Sequence, residues 1–158
     1  MQQQFFLQGE WQGKGAVVDS DKKIEYQENI QVNHIKGPVY MYIQKTKKVP
    51  EQTPLHSETG YFRVFPSQEG SSEGSVELLT AQPFGVASIE IGKFSDKKIT
   101  LSCKQDKLIR TETAKKPFVT EFSREFWIND KGNLEYKMNL GTENYQARHH
   151  LSAELQKI

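Results

Sequence analysis

The chain has 158 residues and a formal net charge of +1, and 26% of its residues are charged. This length predicts one domain over residues 1–158, with enough core to fold without disulfides. No apolar run reaches the roughly 18 residues that a membrane-spanning helix needs, so no membrane partner is expected. Basic residues are spread along the chain with acidic ones between them, which argues against nucleic-acid binding. With no secretory signal and the single cysteine Cys103, we expect a cytoplasmic protein.

Alternation with a period of two residues dominates the chain and predicts β-strands. The first few residues indicate a short helical turn. From Ile24 to His34 the even positions are apolar, except at Glu28, where a bulge or a pocket-facing acid is expected. Further strands are predicted over residues 39–43, 55–65, 76–81, 85–91, 99–103, 119–128 and 134–140, before a last strand that runs to the C-terminus.

Connections between the predicted strands are short and rich in turn-forming residues. Residues 66–75 and 129–133 are typical of hairpin loops, and the polar residues 104–116 predict a loop or a short helix. The total is about nine or ten strands spaced about 8–12 residues apart, as in an antiparallel sandwich or barrel. We favour an all-β fold with a single closed antiparallel barrel, because closure removes exposed strand edges and leaves room for a ligand.

Two adjacent histidines stand at the start of the last strand. His149 and His150 precede an alternation of Leu151, Ala153 and Leu155. Strict alternation places His149 on the face of these apolar residues. For His150 to face the interior, either a bulge reverses the phase or the apolar residues face outward under a covering segment. On spacing alone, an ordinary surface or core histidine is the commoner outcome for both.

Four segments, in order along the chain, resemble the nitrobindin family of haem-binding β-barrels. Residues 7–15 are similar to the family's Gly-x-Trp-x-Gly-x-Gly opening, which lipocalins and fatty-acid-binding proteins share. More specific are residues 54–63, Pro-Leu-His-Ser-Glu-Thr-Gly-Tyr-Phe-Arg, and residues 76–92, which begin Val-Glu-Leu-Leu-Thr-Ala-Gln-Pro-Phe-Gly-Val. The fourth segment joins residues 123–126 to residues 150–153. Together these segments span nearly the whole chain.

The resemblance implies a lipocalin-like, fatty-acid-binding-protein-like barrel of about ten strands that holds haem b at its mouth. It implies that His150 ligates the iron. A neutral imidazole is a good fifth ligand of haem iron, and a single histidine leaves the sixth coordination position open. It further implies an enzyme, monomeric or homodimeric, whose ferric haem binds nitric oxide and isomerises peroxynitrite to nitrate, with His150 as the catalytic residue. The remaining positions that match the family's haem pocket are His56, Leu55, Gln82 and Leu140.

The chain departs from the family pattern just after the opening glycines. Members usually carry Tyr-Pro-Thr there, with the Thr near the haem, whereas residues 16–21 read Ala-Val-Val-Asp-Ser-Asp. The local loop must therefore differ. This departure favours an alternative function, a haem-free carrier of a small apolar ligand, for which Arg63 or Arg124 would bind a carboxylate.

Other residues have ordinary structural interpretations. His56 is either a pocket residue or a hydrogen-bonded structural residue, and Gln82 either lines the pocket or caps a turn. Trp11 is expected to plug the barrel floor, and His34 is expected to be a core or rim histidine with satisfied hydrogen bonds. Cys103 is expected to be an inert buried thiol. Arg124 and Glu125 are expected to form a structural ion pair or part of a solvated face.

Overall fold

The computed structural model describes residues 5–158 as β-strands joined by short connections, with one short 3₁₀ helix at Gln105–Lys107. The predicted helical turn over the first few residues falls largely on residues 1–4, outside the described part. The strands are β1 (Gly9–Val17), β2 (Ile24–Lys36), β3 (Val39–Lys48), β4 (Thr53–Pro66), β5 (Gly74–Gln82), β6 (Val86–Phe94), β7 (Lys98–Cys103), β8 (Leu108–Arg110), β9 (Val119–Ile128), β10 (Leu134–Thr142) and β11 (Tyr145–Lys157).

Ten of these strands form a closed antiparallel ring. Successive strands β1 to β7 pair with one another, β7 pairs with β9, β10 follows, and β11 pairs with β1 to close the barrel. Strand β8 is not part of this ring. Its three residues pair with the first residues of β6, and β7 pairs with the last residues of β6 along the same edge. The prediction of a single closed barrel is confirmed, and the sandwich alternative is wrong.

All of the predicted strands are present, and several extend beyond the residues over which alternation predicted them. Residues 104–116, predicted to be a loop or short helix, contain the 3₁₀ helix and also β8, which no alternation indicated. No helix within residues 5–158 is long and apolar enough to cross a membrane.

Aromatic side chains close one end of the barrel. Phe5 packs against the rings of Tyr40, Phe62 and Phe94, with ring centroids 5.1 to 6.3 Å apart. Trp11 is buried beside them, and its indole N–H donates a hydrogen bond to the carbonyl oxygen of Leu7 at 2.9 Å. Burying each such side chain stabilises the fold by roughly 1.5–3 kcal/mol. The expected packing role of Trp11 is confirmed, because its side chain is buried in the main core.

Alternation along the strands sets which residues share a face, but several inward faces are polar. Glu28 is buried and faces the interior of the barrel, and β2 pairs with both neighbours without a register shift at this residue. The bulge alternative at Glu28 is therefore wrong. On β6 the inward residues are Ser88 and Glu90, whereas Ile89 and Ile91 lie outside.

Candidate functional site

The other end of the barrel opens into a cavity of about 850 Å³. This volume lies within the range of roughly 300–1,000 Å³ that small-molecule sites occupy. Strand ends supply most of the wall, and β8 with the loop after it, residues 111–118, completes one side. The structure brings all of the predicted site residues to this one cavity: Leu55, His56, Gln82, Leu140 and His150.

A bulge in β11 turns His150 into the cavity. Met138 and Asn139 are consecutive on β10 but pair with Leu151 and His149, so His150 is the additional residue of β11. His150 and Leu151 consequently both line the cavity, whereas His149 is exposed outside it. Of the two alternatives predicted for an inward His150, the bulge is therefore present. The other, in which Leu151, Ala153 and Leu155 face outward under a covering segment, is wrong.

The loop between β1 and β2 binds the imidazole of His150. Oδ1 of Asp19 lies 2.7 Å from Nδ1 of His150, and Oδ2 lies 3.4 Å from Nε of Arg148. The backbone N–H of Val18 donates to the carbonyl oxygen of His150 at 2.8 Å. Because a carboxylate only accepts, Nδ1 is the donor in this contact, and in the neutral imidazole Nε2 then keeps a lone pair. This segment departs from the family pattern in sequence, but no residue pattern predicted the contact with His150.

His56 lines the cavity from a distant part of the wall. It lies on β4, which is four strands from β11 around the ring by way of β1, β2 and β3. Its ring stacks on Phe84 with centroids 5.4 Å apart, and its Nε2 lies 3.5 Å from Oε2 of Glu58. Its backbone N–H donates to Oγ1 of Thr46 at 3.0 Å. His56 is therefore both a cavity residue and a hydrogen-bonded structural residue.

The remaining predicted site residues have packing or turn roles besides lining the cavity. Leu55 packs against the main core, and Leu140 packs against a small cluster that contains Cys103. Gln82 ends β5, and its backbone carbonyl accepts from Gly85 N–H at 3.2 Å across the following turn. Burial raises the pKa of the Cys103 thiol to about 11, in agreement with the expected inert thiol.

A charged cluster lies inside the barrel next to the cavity. Arg124 is completely buried and donates to the carboxylates of Glu58 and Glu90. The hydroxyl of Tyr42 donates to Oε1 of Glu58 at 2.9 Å. Burial by itself raises the pKa of Glu58, but the Arg124 guanidinium and the hydrogen bond from His56 hold it well below its usual range. Glu58 is therefore ionised inside the barrel.

The expected pairing of Arg124 with Glu125 is wrong, and of the two residues only Glu125 lies on a solvated face. Successive residues of a strand point to opposite faces, so Arg124 faces the interior and Glu125 faces outward. Glu125 forms a partly exposed ion pair with Lys98 at 3.3 Å on the outside of the barrel.

A second buried acid lies near this cluster. Gln44 Nε2 donates to Oε1 of Glu28 at 2.7 Å, while Oε2 of Glu28 and Oε1 of Gln44 have no partner among the described residues. Burial raises the pKa of Glu28 to about 7, and the hydrogen bond from Gln44 only partly opposes this shift. Glu28 is therefore partly protonated at neutral pH.

Neither arginine suggested for a carboxylate ligand is free to bind one in the cavity. Arg63 lies on the outside of the barrel and pairs with Glu77 at 2.8 Å, and Arg124 already binds two carboxylates. His34 is exposed on β2 near the turn to β3, and a ring nitrogen lies 2.9 Å from the carbonyl oxygen of Gly37, so it is a rim histidine and not a core one.

Arg110 is a cavity residue that sequence analysis missed. It ends β8 and lines the cavity, with its guanidinium 5.1 Å from the centroid of the Phe118 ring. Its Nη2 is buried and has no hydrogen-bond partner among residues 5–158. A cationic donor without a partner is suited to an anionic group of a ligand.

Comparison with known proteins agrees with this arrangement. Residues 1–157 match the family described as THAP4-like, heme-binding beta-barrel domain. The protein named peroxynitrite isomerase 2 from Mycobacterium ulcerans is 36% identical over 155 residues, which are 96% of this chain and 90% of that protein. Peroxynitrite isomerase Rv2717c of Arabidopsis thaliana is 32% identical, covering 97% of this chain and 86% of its own length.

A solved structure extends the agreement to three dimensions. The crystal structure of Rv2717c from M. tuberculosis superposes with a TM-score of 0.80 at 31% identity, over 97% of this chain and 93% of that one. The resemblance to nitrobindin is thereby confirmed, and the chain belongs to the THAP4-like family of haem-binding β-barrels.

Proposed function

We propose that the protein binds haem b in the open end of its barrel through His150, and that the ferric haem binds nitric oxide and isomerises peroxynitrite to nitrate. One observation carries the proposal: a bulge turns this imidazole into a cavity of about 850 Å³ while a carboxylate holds its Nδ1. The substrate is supported by the relatives named peroxynitrite isomerase.

The residues of the cavity fit a haem in both polarity and charge. Leu55, Met138 and Leu140 give it apolar walls, which a porphyrin face requires. A haem also carries two propionate groups, and the unpartnered Nη2 of Arg110 is a suitable donor for one of them. His150 would hold the iron in this proposal, because Nε2 of its neutral imidazole offers a lone pair.

When bound, the haem supplies an open iron coordination position, at which nitric oxide binds and peroxynitrite is isomerised. The protein binds and orients the reactants. His150 would hold the iron, and His56, four strands away around the barrel, would line a distant part of the wall, where its Nε2–H, 3.5 Å from Glu58, could also be shared with a bound anion. Glu58 beside His56 orients that imidazole through the 3.5 Å contact with its Nε2.

A hemin titration with a matched pair of variants tests the proposal. Wild-type protein should develop a Soret band at stoichiometric hemin, and nitric oxide should shift it. His150→Ala should lose the band, whereas His149→Ala, which removes the adjacent exposed imidazole, should retain it. A full band in His150→Ala would remove this residue from its proposed role. A wild-type protein that binds a fluorescent fatty acid but no hemin would establish the carrier instead.

The enzymatic step needs a separate measurement. Stopped-flow decay of peroxynitrite should accelerate with the haem-loaded wild-type protein and yield nitrate in place of nitrite. His56→Ala should keep the Soret band but slow the decay, because the anion loses a hydrogen-bond donor. An unchanged decay rate in the loaded wild-type protein, compared with buffer, would contradict the isomerase activity.

A further inference from the structure

We infer that Asp19 is a positioning residue for the iron ligand: its carboxylate fixes the tautomer and orientation of His150 and makes the imidazole a stronger donor to haem iron. The inference rests on the proposed function, namely haem binding at His150. It concerns a residue outside the pocket positions that match the family.

The contact between Asp19 and His150 is short and shielded. Oδ1 of Asp19 lies 2.7 Å from Nδ1 of His150, the distance of a charge-assisted hydrogen bond. The Asp19 side chain is only 10% exposed and that of His150 25%, so water competes little for either group. A hydrogen bond between an imidazole and a carboxylate is the usual way in which proteins orient a metal-binding histidine.

Both the carboxylate of Asp19 and the backbone next to it are bound to β11. Arg148 lies two residues before His150 on β11, and its Nε is 3.4 Å from Oδ2 of Asp19. On the other side, the backbone N–H of Val18 donates to the carbonyl oxygen of His150 at 2.8 Å. Because β1 ends at Val17, which pairs with Leu151, the next residues of the loop necessarily pass beside His150. Backbone pairing thus places Asp19 at the imidazole.

This loop is also where the chain departs from the nitrobindin pattern. Residues 16–21 read Ala-Val-Val-Asp-Ser-Asp in place of an uncharged Tyr-Pro-Thr segment. The departure therefore brings a negative charge to Nδ1 of His150. A carboxylate on Nδ1–H raises the electron density and the basicity of the opposite nitrogen. Such a ligand favours ferric over ferrous iron, strengthens the iron–nitrogen bond and slows the loss of hemin.

Three variants loaded with hemin test this inference. Asp19→Asn keeps the shape and removes the charge, Asp19→Glu keeps the charge, and Asp21→Asn removes a charge from an exposed position of the same loop. The readouts are the iron–histidine stretching frequency of the ferrous protein, the ferric–ferrous midpoint potential and the hemin dissociation constant. The melting temperature of the hemin-free proteins confirms that each variant folds.

Asp19→Asn should keep a Soret band but show a lower stretching frequency, a higher midpoint potential and hemin binding about 10- to 100-fold weaker. Asp21→Asn should match the wild type, and Asp19→Glu should lie nearer the wild type than Asp19→Asn. A wild-type frequency and potential in Asp19→Asn would overturn the inference, as would equal effects of the two Asp19 variants. Failure of the proposed function is distinguishable, because the wild type would then show no Soret band that depends on His150.

Discussion

The guanidinium of Arg124 on β9 reaches the carboxylate of Glu58 on β4 through the inside of the barrel, and neither side chain is more than 1% exposed. These residues are 66 positions apart in the chain. Bringing two charges out of water is costly, so an ion pair of this kind persists only when its hydrogen bonds are satisfied. The contact therefore links opposite parts of the wall next to the cavity.

Removing the buried guanidinium should strongly destabilise the fold. Arg124→Met leaves Glu58 and Glu90 buried without their cation, and the free energy of unfolding should fall by roughly 3–5 kcal/mol. Urea denaturation followed by tryptophan fluorescence measures this change. The matched control is Arg63→Met, which breaks an exposed arginine–glutamate pair and should cost about 1 kcal/mol or less. Equal losses in the two variants would show that the buried cluster adds no particular stability.

Glu28→Gln should stabilise the protein at alkaline pH. The pKa of Glu28 is raised from 4.5 to about 7, so its stabilising contribution is complete below pH 4.5 and is lost as the pH rises through about 7. A neutral amide avoids this loss, and its N–H can donate to the unpartnered Oε1 of Gln44.

The free energy of unfolding of Glu28→Gln should therefore exceed that of the wild type by an amount that grows from pH 5 to pH 8, to on the order of 3 kcal/mol. Urea denaturation across this pH range measures the difference. Glu25→Gln, on the exposed face of the same strand, is the control. A difference between Glu28→Gln and wild type that stays constant with pH would contradict the prediction.

Arg110→Met should weaken haem binding through the propionates. Loss of a cationic donor to a carboxylate should raise the hemin dissociation constant about tenfold, which corresponds to roughly 1.4 kcal/mol. Hemin titration in the Soret region measures the constant. The dimethyl ester of hemin lacks the carboxylates and should bind the variant and the wild type equally. If Arg110→Met weakened the binding of the ester as much as that of hemin, Arg110 would have a packing role against Phe118 instead.

The thiol of Cys103 should react slowly in the folded protein. Burial raises its pKa from 9.0 to about 11, so the thiolate fraction falls about 100-fold, and steric exclusion slows the reaction further. The rate of reaction with a disulfide reagent at pH 8, compared without and with denaturing urea, measures the protection. Similar rates in the two conditions would show that the thiol is accessible.

The pattern of alternation predicted most strands, because a period of two residues depends only on neighbours in the chain. The closed barrel was predicted from the number of strands, since closure removes their exposed edges. The quoted segments also predicted Leu55, His56, Gln82, Leu140 and His150 as pocket residues, and the structure places all of them around one cavity. The sequence further showed that a bulge or a covering segment must accompany an inward His150, without deciding between the two.

Tertiary structure alone decided which face of each strand is inside and which distant groups meet there. On β6 the charged Glu90 is inside and the apolar Ile89 is outside, and Glu90 is bound there by Arg124 of β9, 34 residues later in the chain. Asp19 and His150 are 131 residues apart and meet because β11 pairs with β1. Residue types set what each side chain can bind, but barrel closure sets which partners are near enough to bind it.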